Sequence, residues 1–484
     1  MGNHSVINFY KSSLFLILAY LVLHSLIRLF FNDSIQVDDR EQLYYAQSLS
    51  LGYPMPQPPL YSWLSYIFFK IFGSGLTALT LLKYSLIFLT FVYVNKISKR
   101  IFSNEWIKEN LVYFFLLMPS FAWHMHQGFT HTILLGLGIV MSIYYFFKII
   151  DQQSLKNFAL LGLSLSIGIL GKYSFILFIA LSLFAILSIK EYRALFICWK
   201  ALVVPTIFLV LISPHLTWLI DHWSLIYSQA NDKLNIESTS NSNFETIFQL
   251  IKSFIGFLIP LIFIFFFIDR KTRKKIENKK KPQLQELFLN RFLVLLAIFV
   301  IIFSIFFEIK LIRVRWLHPV LMIFPFWLAF YFEKRNLFVK TFQKKFFSLV
   351  FFLTLLIFSV RVAQNTIGPS LGFHGRLNLP ISSSLISLPK EIIDSASVIK
   401  TQDINLGVHL FEIFPNKSII IGNKKFNTEN GANGKCLYLL DQDGHSDSSL
   451  QMIQKNYGSF NKIESKDNNF NYVLLYKLLD KKIC

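Results

Sequence analysis

Residues 12–31 read SSLFLILAYLVLHSLIRLFF, and residues 37–64 read VDDREQLYYAQSLSLGYPMPQPPLYSWL. The first stretch is long and apolar enough to span a bilayer core as one helix, which needs roughly 20 such residues. Nothing after it resembles a small-residue cleavage site, so it is expected to be a retained first transmembrane helix and not a removed signal peptide. The second stretch has the opposite character. Asp38, Asp39 and Glu41 fall within four residues, and an amphipathic segment, a proline-rich turn and a short apolar run, Leu60–Phe72, follow. That run is too short to span and is followed by Gly73-Ser74-Gly75. It reads as a helix lying in the membrane interface, with Tyr61, Trp63 and Tyr66 as aromatic anchors.

The pattern of span followed by polar loop extends outward. Of the 484 residues, 54% are hydrophobic, 17% aromatic and only 16% charged, and the mean hydropathy is +0.48. Soluble domains carry about 25% charged residues, so an ordinary soluble protein is excluded. Further apolar stretches run near 76–95, 108–123, 130–148, 157–171, 173–189, 199–214, 246–268, 290–307, 316–332 and 346–363, which makes about 11 transmembrane helices with the first. With a cytoplasmic N-terminus the inner loops hold 23 Lys and Arg and the outer loops 7. This asymmetry follows the positive-inside rule and accounts for most of the formal charge of +20 without nucleic acid. The run Arg270–Lys281 then reads as a solvated loop beside anionic lipid.

The composition shifts at residue 364. Residues 364–484 are rich in Asn, Ser, Asp and Lys, with β-type runs at Lys417–Gly422, Cys436–Leu440 and Tyr472–Leu475. The expected organisation is a transmembrane domain over 1–363, whose first outer loop is 32–75, and a small extracytoplasmic α/β domain over 364–484. Cys436 and Cys484 would share an oxidising compartment and are candidates to pair, whereas Cys198 lies near the cytoplasmic side.

Several polar residues collect at the outer side. Lys83 and Lys172 sit in otherwise apolar helices, where an unpaired ammonium costs about 2.5–3.5 kcal/mol. Snorkelling to the interface explains them, and so does binding a lipid-borne phosphate. Lys310, Arg313 and Arg315 break the outer-loop trend, and an arginine fork suits phosphate oxygens, with His318 beside them. Asp38, Asp39 and Glu41 read either as a hydrated helix start, where acids complement the dipole, or as working carboxylates. His124, His126 and His131 gather at one outer end, as a hydrated cluster or as contacts to a cation or substrate.

The spacing of the first loop shifts the balance for the carboxylates. An acidic pair, Tyr44-Tyr45, Gln47, Gly52-Tyr53, then Pro58-Pro59-Leu60 and Trp63-Leu64 resembles the first extracytoplasmic loop of the polyprenyl-phosphate-sugar-dependent glycosyltransferases. These are relatives of protein O-mannosyltransferases and of the lipid A aminoarabinose transferase. Gly171-Lys172-Tyr173-Ser174 is similar to that family's Lys-Tyr segment, Ser213-Pro214-His215-Leu216-Thr217-Trp218 to its Pro-Trp loop, and Arg315-Trp316-Leu317-His318-Pro319 to the start of a late helix.

The resemblance implies an α-helical, polytopic GT-C bundle in a bacterial inner membrane, with the site at the periplasmic face. The donor would be a sugar on a polyprenyl phosphate, such as undecaprenyl phosphate, and the acceptor an envelope glycan, lipid (lipid A included) or protein. By position Asp38 is the base, with Asp39 supporting it, and one acting carboxylate suggests inversion. Glu41, Tyr53, Gln57, Pro59, Tyr61, Lys83, His131, Lys172, Arg313, Arg315 and His318 are the candidate substrate contacts. Many relatives carry a second Asp early in the fourth helix. Here that place reads Phe129-Thr130-His131-Thr132, so no required metal or other cofactor is expected. No phosphate-binding glycine loop, dinucleotide fingerprint, HExxH, paired CxxC or Gly-x-Ser-x-Gly occurs. A lipid-linked-sugar flippase and a membrane scaffold are the competing classes. The first predicts polar groups on both sides of the membrane, and the second leaves the acidic and Pro-Pro pattern without a role.

Overall fold

Proline and glycine decide where the apolar stretches become one helix and where they break. The computed structural model describes residues 12–31, 35–234, 243–264, 283–306, 318–368, 371, 379–426, 435–442, 447–467 and 470–480. Among them, six helices are long and apolar enough to cross a membrane: Ser13–Phe30, Leu76–Ile101, His131–Asp151, Trp199–Asp221, Leu284–Ile302 and Lys340–Thr366. The stretch 108–123 is divided. Glu105–Leu116 ends before Pro119, and Met118 takes the extended conformation (φ −85°, ψ 128°) that a following proline favours. The stretch 316–332 likewise holds two helices, His318–Leu321 and Phe324–Lys334. Leu155–Gly171 and Phe175–Leu187 are separate helices because Lys172 is extended between them.

The chain divides into two compact units. The first comprises Met1–Leu21, Ser50–Tyr61 and Tyr84–Ile357. Its helices meet through aromatic side chains: Trp106 packs against Phe114, Phe338, Phe342, Phe346 and Phe347. Where His131–Asp151 crosses Leu155–Gly171, glycine permits backbone contact. A Cβ on Gly138 would lie 2.5 Å from the Gly168 Cα, the small-residue approach that substitutes in lipid for a hydrophobic driving force.

The second unit comprises Val22–Leu49, Ser62–Lys83 and Phe358–Cys484. The composition shift at 364 therefore does not coincide with this division, because two pieces of the N-terminal region join the C-terminal segment. That segment forms a six-stranded sheet in the order β3-β2-β1-β4-β6-β5. The strands are β1 (Ala396–Thr401), β2 (Ser418–Ile421), β3 (Lys424–Phe426), β4 (Lys435–Asp441), β5 (Asn461–Asp467) and β6 (Phe470–Asp480). The three β-type runs read from the sequence overlap β2, β4 and β6. β1 runs parallel to β2 and β4, and the remaining pairs are antiparallel.

Both faces of the sheet are covered, which is why β4 reads as a continuous apolar run over Cys436–Leu440. Val398, Cys436, Tyr438 and Leu440 face a small core with Leu450 of the helix Asp447–Tyr457. Ile399, Leu437 and Leu439 face a larger core with the helix Ile404–Ile413. That larger core also takes in Ile35, Leu43, Ala46, Phe69, Ala78 and Leu79. The C-terminal sheet and the acidic first-loop helix thus share one apolar core. Cys436 is disulfide-bonded and Cys198 carries a free thiol, while Cys484 lies outside the described residues.

Candidate active site

In the second unit, the helix Val37–Tyr45 starts on the acidic pair. Asp38 and Asp39 occupy its first turn, where their charge complements the exposed N–H groups. Their surroundings differ. Asp39 is 1% exposed and forms an ion pair with Arg28 of the first helix, Nη2 to Oδ2 at 2.6 Å. Asp38 and Glu41 are half-buried. Arg28 Nε also donates to Thr80 Oγ1 at 2.9 Å. Thr80 lies one turn before Lys83 in the helix Leu76–Ile101, and Lys83 is fully buried with Arg28, Asp39, Asp38 and Arg361 as its electrostatic neighbours. Arg361 Nη1 donates to Nδ1 of buried His24 at 3.2 Å. Three buried cations and two carboxylates therefore gather around the start of the acidic helix.

The helix is held from other sides as well. Ser62 Oγ donates to Gln42 Oε1 at 2.8 Å and Ser74 Oγ to Gln47 Oε1 at 3.1 Å. Lys424 of β3 lies over the rings of Tyr44, Tyr45 and Phe426, at 5.0, 5.7 and 5.0 Å from their centroids. Burial pushes the Tyr44 and Tyr45 hydroxyls above, and the Lys424 ammonium below, their ordinary pKa values. His409 of the helix Ile404–Ile413 is paired at Nδ1 with Ser382 Oγ at 3.0 Å. Burial, and then the Arg40 charge, lower its pKa to about 3. Glu412 Oε2 accepts the Leu76 N–H at 3.1 Å, which caps the helix that carries Thr80 and Lys83.

In the first unit, three of the motif blocks meet. His215 bonds the Leu51 carbonyl through Nδ1 at 3.0 Å and the Tyr173 hydroxyl through Nε2 at 2.8 Å. Trp218 covers Gly52 so closely that a Cβ there would lie 2.2 Å from the indole. Gly52-Tyr53, Lys172-Tyr173 and His215-Trp218, far apart in the chain, thus form one contact set. Beside it Lys172 Nζ donates to Thr132 Oγ1 at 2.8 Å, His131 Nδ1 lies 3.2 Å from the Gly171 carbonyl, and the Tyr61 and His131 rings are 5.6 Å apart. His126 has a tyrosine hydroxyl at each ring nitrogen, Tyr20 at 2.9 Å and Tyr84 at 3.3 Å, and His124 stacks on Phe129. Among the described residues no three His, Cys, Asp or Glu side chains converge as a metal site.

The structure therefore brings Asp38, Asp39 and Lys83 together in one unit, with Glu41 on the same helix. It brings Tyr61, His131 and Lys172 together in the other. Tyr53 is buried, and its hydroxyl accepts the Ser50 N–H at 3.4 Å. Pro59 is buried ahead of the helix Leu60–Phe72, and the Gln57 N–H donates to the Met55 carbonyl at 2.8 Å. Lys310, Arg313 and Arg315 and the run Arg270–Lys281 lie outside the described residues, and His318 opens the helix His318–Leu321. Sequence reading passed over Arg28, His24 and Arg361. A charged or ionisable residue inside an apolar run was the available signal, but its partner is evident only once the chain is folded.

Comparisons with known proteins support a GT-C polyprenyl-phosphate-sugar-dependent glycosyltransferase. The dolichyl-phosphate-mannose-protein mannosyltransferase family model matches residues 56–218. Among known proteins, the lipopolysaccharide core galacturonosyltransferase RgtA of Rhizobium johnstonii is 24% identical over 85% of this chain and 82% of its own. RgtB of the same organism, a second lipopolysaccharide core galacturonosyltransferase, is 26% identical over 78% of this chain and 76% of its own. The fold is shared with ArnT from Cupriavidus metallidurans. Its structure bound to undecaprenyl phosphate superimposes with a TM-score of 0.59 at 11% identity, covering 98% of each chain. Its apo structure gives 0.54 at 14% identity, covering 95% of this chain and 97% of that one.

Proposed function

We propose that the protein transfers a sugar from undecaprenyl phosphate to the core region of lipopolysaccharide at the periplasmic face of the bacterial inner membrane, with inversion at the anomeric carbon. The N-terminus is then cytoplasmic, and the C-terminal sheet lies on the side of the first loop. The observation that carries this reading is the cluster of Arg28, Lys83 and Arg361 around Asp38 and Asp39. Arg28 and Asp39 offset each other, and Lys83 and Arg361 beside Asp38 supply the positive excess suited to a phosphate. The names of the two galacturonosyltransferases favour a uronic acid as the sugar.

In this reading the half-buried Asp38 removes the proton of an acceptor hydroxyl. The hydroxyl oxygen attacks the anomeric carbon as the bond from that carbon to the phosphate oxygen breaks, and the electron pair leaves with the lipid phosphate. Lys83 and Arg361 stabilise that developing charge, which a preorganised cation in a dry site does far more strongly than one in water. Asp39, already paired with Arg28, is not the base and supports the loop. Glu41, Tyr53, Gln57, Pro59, Tyr61, His131 and Lys172 are assigned to substrate contact, as are Arg313, Arg315 and His318.

The test is mass spectrometry of lipopolysaccharide from a deletion strain complemented with the wild-type or the Asp38→Asn chain. A sugar mass that returns with wild type and falls at least 100-fold with Asp38→Asn supports the reading, since positioned bases contribute roughly 10²–10⁴ in rate. Equal restoration by both chains would remove Asp38 from the mechanism, and no change on deletion would remove lipopolysaccharide as the acceptor.

A further inference from the structure

We infer that Arg28 is a positioning residue. By holding Asp39 and the Thr80 hydroxyl at once, it sets the first turn of the helix Val37–Tyr45, and with it Asp38, against the helix that carries Lys83. The inference rests on the reading of Asp38 as the base.

The geometry requires a guanidinium. Arg28 Nη2 is in ion-pair contact with Asp39 Oδ2 at 2.6 Å while Nε donates to Thr80 Oγ1 at 2.9 Å, so one planar group ties together two different helices. A lysine ammonium at the end of a flexible stem carries the same charge without that fixed fork. Arg28 and Asp39 are 2% and 1% exposed, which makes the pair a buried tie and not a solvated surface contact. Successive residues of a helix project about 100° apart. Anchoring Asp39 therefore fixes the backbone at Asp38 while leaving the Asp38 carboxylate pointing elsewhere, and Asp38 is the less buried of the two. Thr80 and Lys83 are one turn apart on the same face of their helix, so the same guanidinium also registers the ammonium.

A competing explanation is that the pair merely neutralises two charges that would otherwise be buried alone. The two explanations separate when both partners are replaced by apolar residues of similar volume, a change that is often neutral for stability. The Arg28→Met/Asp39→Leu double variant is reconstituted in nanodiscs and compared with wild type in three measurements. These are thermal unfolding, binding of undecaprenyl phosphate, and restoration of the sugar-modified lipopolysaccharide in the deletion strain. A positioning role gives unfolding within a few degrees of wild type, undecaprenyl phosphate affinity within threefold, and modification reduced at least 30-fold. Arg28→Lys restores charge but not the bridge, and leaves modification reduced at least tenfold. Thr80→Val, which keeps the ion pair and the fold, reduces it three- to tenfold, so the inference is still tested if the double variant fails to fold. Modification within threefold of wild type in the double variant or in Arg28→Lys overturns the inference, as does an unaffected Thr80→Val should the double variant not fold. Asp38→Asn runs alongside. Wild-type modification by Asp38→Asn overturns the base reading and this inference with it. An inactive Asp38→Asn beside active Arg28 variants overturns the inference alone.

Discussion

The two units treat buried polarity in opposite ways. Around the acidic helix of the second unit buried titratable side chains crowd together: Arg28 pairs with Asp39, and both, with Arg361, are electrostatic neighbours of Lys83. In the first unit the buried histidines find carbonyl or hydroxyl partners. His215 joins Leu51 to Tyr173, His131 approaches the Gly171 carbonyl, and His126 sits between two tyrosines. The cation there, Lys172, is set on a threonine hydroxyl. Charge inside a membrane protein is costly and is kept where function uses it, whereas hydrogen bonds between neutral groups are an inexpensive way to fix backbone. The comparison separates a region whose buried polar groups are charged residues from one whose buried histidines join segments through hydrogen bonds.

The largest expected effect after loss of Asp38 comes from the lysines, one in each unit. Lys83→Met should lower affinity for undecaprenyl phosphate at least 30-fold in a nanodisc binding assay, because it removes a fully buried ammonium from the cation cluster. Hydrogen bonds to charged groups contribute about 1.5–3 kcal/mol, so a loss of ten- to a hundredfold is the natural scale. Lys172→Met should cost less, about threefold to fivefold, since that ammonium is half-buried and already shared with Thr132. Equal losses for the two lysines would erase the contrast between the units.

A middle-sized effect is expected at Gly52. Its backbone is of ordinary conformation, and alanine there meets first the indole of Trp218, 2.2 Å from where the Cβ would lie. Overpacking of this kind costs typically 1–3 kcal/mol. Gly52→Ala should therefore lower the unfolding temperature, and Gly52→Ala/Trp218→Leu should recover most of the loss. If the double variant is no better than the single, the Gly52–Trp218 contact is not what holds this turn.

How much of this was readable follows from what each residue needs in order to be noticed. Asp38, Asp39, Lys83 and Lys172 stand out because charge interrupts an apolar or patterned context, and the short apolar runs in β2, β4 and β6 announce strands. The C-terminal segment reads as a separate domain because its composition changes at 364. Its core nevertheless takes in Leu43 and Ala46 from the first loop, more than 300 positions away, and no local pattern encodes that pairing. Arg28 is a single charge in twenty apolar residues, tolerable in isolation, and its meaning lies in Asp39 and Thr80. His24 and Arg361 are 337 positions apart, and neither is interpretable alone. The prolines after the helix breaks, Pro119 and Pro325, are visible as residues, but the hydropathy of the stretches 108–123 and 316–332 outweighs them.

The smallest expected effect tests whether neutral histidine also stabilises the second unit, away from its charges. Burial and Arg40 hold His409 at a pKa of about 3, against 6.5 for the unfolded chain. The folded state therefore binds the proton less readily than the unfolded state. The contribution of His409 to stability is fully present above pH 6.5 and is lost progressively as the pH falls towards 3. Its steepest contribution is about 1.4 kcal/mol for each pH unit in that window. His409→Asn keeps an acceptor for the Ser382 hydroxyl near Nδ1 and removes the titration. Thermal unfolding of both proteins between pH 7.5 and pH 5 should then show the wild type losing stability relative to His409→Asn as the solution is acidified. Parallel curves would mean that His409 titrates normally in the folded protein and that the contrast between charged and neutral buried groups does not extend to the C-terminal sheet.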